Sequence, residues 1–112
     1  MRQPMLNRLM VLEAVTRNSD GAGGFVESWD ALGQLWAEVR PRSGGERDRE
    51  DVGVSRLDVK VTVRGAPVGS TKRPVAGQRF REGARVFRIM AVTEPNVAGR
   101  YLTCLAREEV AA

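Results

Sequence analysis

An all-β chain, built as a small closed barrel or a sandwich of six or seven short strands with one long charged loop, is what three patterns in these 112 residues predict. Leu57 to Arg64 alternates strictly, with Leu57, Val59, Val61 and Val63 on one face and Asp58, Lys60, Thr62 and Arg64 on the other. β-Branched residues at period two mark a strand with one wet face. Apolar runs of strand length recur along the whole chain, separated by clusters of Gly, Pro, Asn and Asp, which is hairpin spacing. Closure of such a sheet is favoured because open edges aggregate.

The elements follow in order. Leu6 to Val15 is an apolar run in which Leu9, Val11 and Val15 alternate approximately with Met10, Leu12 and Ala14. Its Leu, Met, Ala and Glu content also suits a helix. The exit decides for a strand, because Asn18-Ser-Asp-Gly-Ala-Gly-Gly has the chemistry of a hairpin turn. Phe25 to Trp29 is then the returning strand, and Leu35 to Val39 a second strand whose Leu35, Ala37 and Val39 face inward while Trp36, Glu38 and Arg40 form a mixed face. Gly65 to Pro74 is a loop, Gln78 to Phe80 a short strand piece and Arg85 to Thr93 a strand rich in Val, Phe and Ile. Arg100 to Arg107 closes the set, leaving 108–112 as a frayed polar tail. The whole of 1–112 reads as one domain, since a chain of this length supports one modest core.

Composition removes several classes of function. The chain has no histidine, so the commonest general base, the usual triads and most zinc sites are missing. No cofactor or metal site is expected: arginines interleave the acidic residues Glu46, Asp48 and Glu50, and the glycines after Asp20 are not followed by the Gly-Lys-Ser/Thr of a phosphate loop. Cys104, the single cysteine, excludes an internal disulfide and sits in an alternating context that predicts an ordinary buried thiol. No apolar run approaches the roughly 18 residues that cross a bilayer, and the first residues lack a secretory pattern, so synthesis in the cytoplasm without membrane partners is expected. The formal net charge of +4 permits an acidic partner, yet the arginines are interleaved with Asp and Glu as on a solvated surface.

Two places stand out as candidate sites. The loop 42–54 contains Gly44 and Gly45 followed by six consecutive charges of alternating sign, Glu46, Arg47, Asp48, Arg49, Glu50 and Asp51. Ionised groups cost several kcal/mol each to bury unpaired, so this segment must project into solvent, with room for a short helical turn where charges three or four apart pair. Loops longer than about a dozen residues are uncommon in compact domains unless they have a task. The second place is the mixed face of Trp36, Glu38 and Arg40, where Trp36 is the natural anchor for a subunit or partner interface. The remaining aromatics, Phe25, Trp29, Phe80, Phe87 and Tyr101, suit core or interface packing, with base stacking as the alternative.

The order of pieces resembles a known family. An early Leu-x-x-Leu strand, Asp20-x-x-Gly23-Gly24 with Trp29 soon after, and Trp36-Ala37-x-Val39-x-Pro41 lead into Ser43-Gly-x-Glu46. Val61-Thr-Val-Arg64, Arg79-Phe80, Val86-Phe-x-Ile89 and Gly99-Arg-Tyr-Leu complete the series. Together they are similar to the phage head–tail joining family, the head-closure or stopper proteins of tailed phages, prophages and gene transfer agents. Where many relatives carry a histidine before the Val61 strand, this chain reads Ser55-Arg-Leu-Asp-Val-Lys60.

The resemblance implies a non-enzymatic virion protein whose copies form a homo-oligomeric ring at the head–tail junction. Its implied partners are the portal and adaptor proteins on the head side, a tail terminator or tail tube protein on the tail side, and packaged double-stranded DNA in the channel. It also implies that the 42–54 loop projects into that channel and helps close it; Gly44 and Gly45 are expected to serve such a loop as a hinge, because glycine is conformationally permissive. The alternative from a different class is a nucleic-acid-binding small β-barrel, which the net positive charge supports.

Overall fold

The computed structural model describes residues 3–42, 58–94 and 99–109. They form six antiparallel strands: β1 (Arg8–Ser19), β2 (Phe25–Pro41), β3 (Asp58–Arg64), β4 (Arg79–Glu82), β5 (Arg85–Thr93) and β6 (Tyr101–Glu109). In space the order is β1-β2-β3-β6-β5-β4, and β4 returns to β1, so the sheet is a closed barrel. Of the two expected architectures the barrel is the one adopted. The ring is uneven, for the β1–β2 ladder pairs Arg8 through Ser19 with Ala37 back to Phe25, whereas the β1–β4 seam holds only Val11↔Arg81, Leu12↔Phe80 and Glu13↔Arg79.

Alternation puts the expected residues inside. Met10, Leu12, Ala37, Val61, Val63, Phe80 and Phe87 are fully buried, and Leu35 and Val39 pack against them. Cys104 is fully buried among them, and desolvation pushes its thiol up to about 12. A thiol held neutral in this way is a small core hydrophobe and not a nucleophile.

Several boundaries differ from expectation, the short piece expected at Gln78 to Phe80 being β4 at Arg79–Glu82. Phe25 to Trp29 and Leu35 to Val39 are not two strands but the two ends of one 17-residue strand. The intervening Asp-Ala-Leu-Gly looks like a connection in sequence, yet pairing continues across it with one register shift: Leu12 faces Gly33 while Glu13 faces Ala31, leaving Leu32 as the extra residue of a bulge. Gly33 supplies the unusual backbone there, at φ 153°. At the other end of the chain Glu108 and Glu109, expected to fray, are strand residues paired with Phe87 and Val86. β1 likewise runs beyond Val15 to Ser19, so that the far halves of β1 and β2 stand clear of the barrel as a two-stranded ribbon. Its turn is made by Asp20, whose Oδ1 accepts from the amides of Ala22 (2.8 Å) and Gly24 (3.0 Å).

The connection from β3 to β4 joins strands that are not neighbours in the sheet, so it must cross the barrel. It folds back on it with Pro74 fully buried and Arg73 donating to the carbonyl of Ala66 at 2.8 Å. The crossing begins at Gly65, whose amide donates to the Arg100 carbonyl at 2.7 Å. A Cβ at Gly65 would lie 2.0 Å from the carbonyl oxygen of Gly99. Backbone meets backbone at this point, so no side chain can relax to make room. Gly65→Ala is therefore expected to cost more than about 3 kcal/mol, the sum of overpacking and a lost hydrogen bond. Urea unfolding checks this, and a midpoint within error of the parent chain would contradict it.

Candidate functional site

The surface chemistry of the barrel is organised by arginines paired with carboxylates. At the end where β1 begins, Arg8 lies in phase with the inward-facing Met10, Glu82 with Phe80, Arg85 with Phe87 and Glu108 with Ala106. Four charged side chains thus sit over the end of the core, one from each of four adjacent strands. They pair as two forks: Arg8 donates to both carboxylate oxygens of Glu82, with Nε to Oε2 at 3.0 Å, and Arg85 to both of Glu108 at 2.7 and 2.9 Å. Bidentate guanidinium–carboxylate pairs of this kind fix geometry as well as charge. Hydrogen bonding from Arg8 holds the Glu82 carboxyl below the usual carboxylate range, and Arg85 does the same for Glu108.

A second cluster lies across the β1–β4 seam on the outer surface. Glu13 accepts from Arg79 Nε at 2.7 Å and from Arg81 Nε at 2.8 Å. Burial pushes its carboxyl up, but the hydrogen bonds from Arg81 and Arg79 together outweigh that and leave it lowered. Trp29 lies beneath the same group, with the Arg79 guanidinium 4.0 Å and the Arg88 guanidinium 5.3 Å from its ring centre. This is cation–π packing on an outer face.

The predicted site residues separate. Trp36 is 55% exposed, on the outer face beside its cross-strand partner Leu9, itself 40% exposed. Arg40 is exposed as well, opposite Lys60. Glu38 does not share that exposure: it is buried, and its Oε2 accepts from the Met5 amide at 3.0 Å, tying the N-terminal segment to β2. Gly44, Gly45, Glu46, Arg47, Asp48, Arg49, Glu50 and Asp51 lie outside the described residues, as does any helical turn in that loop. The aromatics divide: Phe80 and Phe87 are core, Trp29 and Tyr101 half-buried, and Phe25 and Trp36 exposed.

Around Trp36 the structure adds a feature that sequence reasoning missed. A groove of about 530 Å³ is lined by Leu6, Gln34, Leu35, Trp36, Arg64 and Lys72. The Lys72 side chain reaches it across Gly33, with its Cε 3.5 Å from where a Cβ would stand. Only the outward phase of Arg64 with Thr62 and Lys60 was visible in advance. That the β3–β4 crossing brings Lys72 to the same place has no local signal. Among the described residues no group of three or more His, Cys, Asp or Glu side chains is placed to hold a metal ion.

A closed antiparallel barrel with paired arginines at its end, a projecting ribbon and an open, partly apolar groove is the build of a small protein that works through its surfaces. The chain matches the phage head completion protein family over residues 1–109, and it belongs to that family. In structure it is similar to a chain from the virion of a native gene transfer agent particle, with a TM-score of 0.80 and 54% sequence identity over 98% of this chain and 100% of that one. It also resembles a Shigella flexneri 2a protein solved in solution, with a TM-score of 0.69 and 22% identity over the full length of both chains, a likeness of fold alone. Among curated proteins none matches the chain.

The paired carboxylates give the barrel a defined pH response. Glu82 and Glu108 are lowered in the folded chain, so the unfolded chain takes up their protons first as pH falls. Their contribution is complete well above the ordinary glutamate value, about 4.3, and is lost as pH drops through their folded values. The Glu82→Gln, Glu108→Gln chain should lose less melting temperature than the parent between pH 6 and pH 3, although it melts lower at pH 6. Parallel melting curves for the two chains would show that these pairs carry no linked protons.

Proposed function

We propose that the protein is a non-enzymatic structural component of the head–tail junction of a virion, in which several copies form a ring. The ring closes the DNA channel after packaging and gives the tail its docking surface. Membership of the head completion family across residues 1–109 carries this reading. A 54% identical chain of the same fold within a gene transfer agent virion supports it. The buried, neutral Cys104 and the lack of any histidine fit a protein whose work is mechanical.

A ring needs each copy to offer faces to its neighbours and to the assemblies above and below. The half-exposed Trp36 with Leu9 beside it suits one such contact, and the exposed Arg40 can extend it. Closure falls to the 42–54 loop, on the grounds of its charge and of the resemblance in sequence. Pairs of exposed opposite charges are worth only about 0 to 1 kcal/mol each, so a gate built from many of them can hold and still release. The nucleic-acid-binding barrel loses support, because Phe80 and Phe87 are sealed in the core and Trp29 lies under two guanidiniums.

Deleting the gene from the genome that carries it, followed by negative-stain electron microscopy of the lysate, tests the function. Separate tails and heads emptied of DNA are expected. Intact tailed particles that still deliver DNA would overturn the reading.

A further inference from the structure

The projecting ribbon and the Trp36 groove have opposite character. At the ribbon's far end Phe25 is 63% and Val26 55% exposed, next to the acidic Asp20 and Glu27, and the acidic Asp30 follows further along the same strand, opposite Ala14. Arg17 is the one basic side chain there, and it is already engaged with Glu27 at 4.0 Å and with the Phe25 ring at 5.0 Å. The groove offers the reverse: Leu35 and the 55% exposed Trp36 as apolar surface, and Arg64 and Lys72 as cations. Among the described residues no acidic side chain lines it, and neither Arg64 nor Lys72 has a carboxylate partner.

The ribbon cannot fill the groove of its own chain. Val26 and Gln34 lie eight residues apart on the same strand, and at about 3.3 Å per residue the strand holds them roughly 26 Å apart. We infer that the ribbon of one copy, along its Phe25–Asp30 edge with Phe25, Val26, Glu27 and Asp30, docks in the Leu35–Trp36–Arg64–Lys72 groove of the next copy. The two surfaces are different patches of one chain, so the contact is head-to-tail. A contact of that kind propagates from copy to copy and gives a ring where the rotation between copies closes, as the ring proposed above requires. Apolar side chains supply the burial, while the acidic rim meeting a basic rim sets orientation and disfavours ribbon-to-ribbon or groove-to-groove pairing. Trp36 fits the part of a central anchor, being large, rigid and surrounded by polar groups that exclude water once covered.

This inference rests on the ring proposed above, and the test separates the two. A chain carrying both Val26→Cys and Gln34→Cys is used to complement the deletion, and purified particles are treated with a short bismaleimide. Cys104 is buried and does not compete. Denaturing gels are expected to show a ladder of dimers, trimers and larger species, absent from either single-cysteine chain. Adding Arg64→Glu and Lys72→Glu should weaken the ladder at least tenfold, and adding Glu27→Lys and Asp30→Lys to that chain should restore it. Particles holding several copies, counted on the same gels, but giving no ladder would overturn the docking while leaving the ring intact. Particles holding a single copy would overturn both. A ladder indifferent to charge reversal would overturn the rim pairing on which the orientation depends.

Discussion

The seam between β1 and β4 is the constraint on which the rest of the molecule depends. β4 has four residues, and only three of its positions pair with β1. So short a ladder cannot hold a sheet closed through its backbone alone. It is reinforced on both sides: inside, Leu12 and Phe80 are cross-strand partners and both are fully buried. Outside, Glu13 takes one hydrogen bond from each of Arg79 and Arg81, clamping the same strand pair. A carboxylate as buried as Glu13 is tolerated because two guanidiniums satisfy both its oxygens. With the seam closed, each of the six described strands has a paired neighbour on both sides within the barrel, while the ribbon beyond it has free edges.

Much of this was legible in the residues. The period-two run from Leu57 to Arg64 contains β3 at Asp58–Arg64, with Val61 and Val63 in the core, and the Asn18–Gly24 cluster holds the hairpin turn. β2 was misread because Gly33 and the small residues near it look like a loop, whereas a bulge lets a strand absorb them and continue. The end of β6 was misread for a different reason. Glu108 looks like a solvated tail until its partner Arg85 is known, and that partner lies 23 positions away. One signal could have found the charged end of the barrel: Arg8, Glu82, Arg85 and Glu108 each sit two residues from a core residue, in the same phase, at the end of a strand. The groove had no such signal, because it exists only once the β3–β4 crossing lays Lys72 over Gly33.

The surfaces fall into two kinds. Where arginines and carboxylates belong to the same chain, they are used up internally, as at Glu13 and at the Arg8 and Arg85 forks, and their contribution is to the barrel itself. Where cations have no carboxylate partner among the described residues, as at Lys72 and at Arg64, whose guanidinium lies 6.0 Å from the Tyr101 ring centre, the positive charge stays on the surface. This division explains how a chain with a formal charge of +4 and interleaved signs still carries a local basic patch. Net charge by itself pointed toward nucleic acid, and the spatial sorting of charges into satisfied and unsatisfied groups points toward protein surfaces instead.

The crossing that starts at Gly65 also governs the order in which the molecule can assemble itself. β1, β2 and β3 form a meander of neighbouring hairpins, as do β4, β5 and β6, and each half can pair locally. Joining the halves requires the β3–β6 and β1–β4 ladders, whose partners are tens of residues apart in the chain. Contacts this distant carry a loop-closure cost that is met before any packing rewards it, which puts such topologies among the slower small folds. Until the halves join, each would carry open strand edges, and the hydrogen bond from the Gly65 amide to the Arg100 carbonyl ties the end of β3 to the start of β6 at that join.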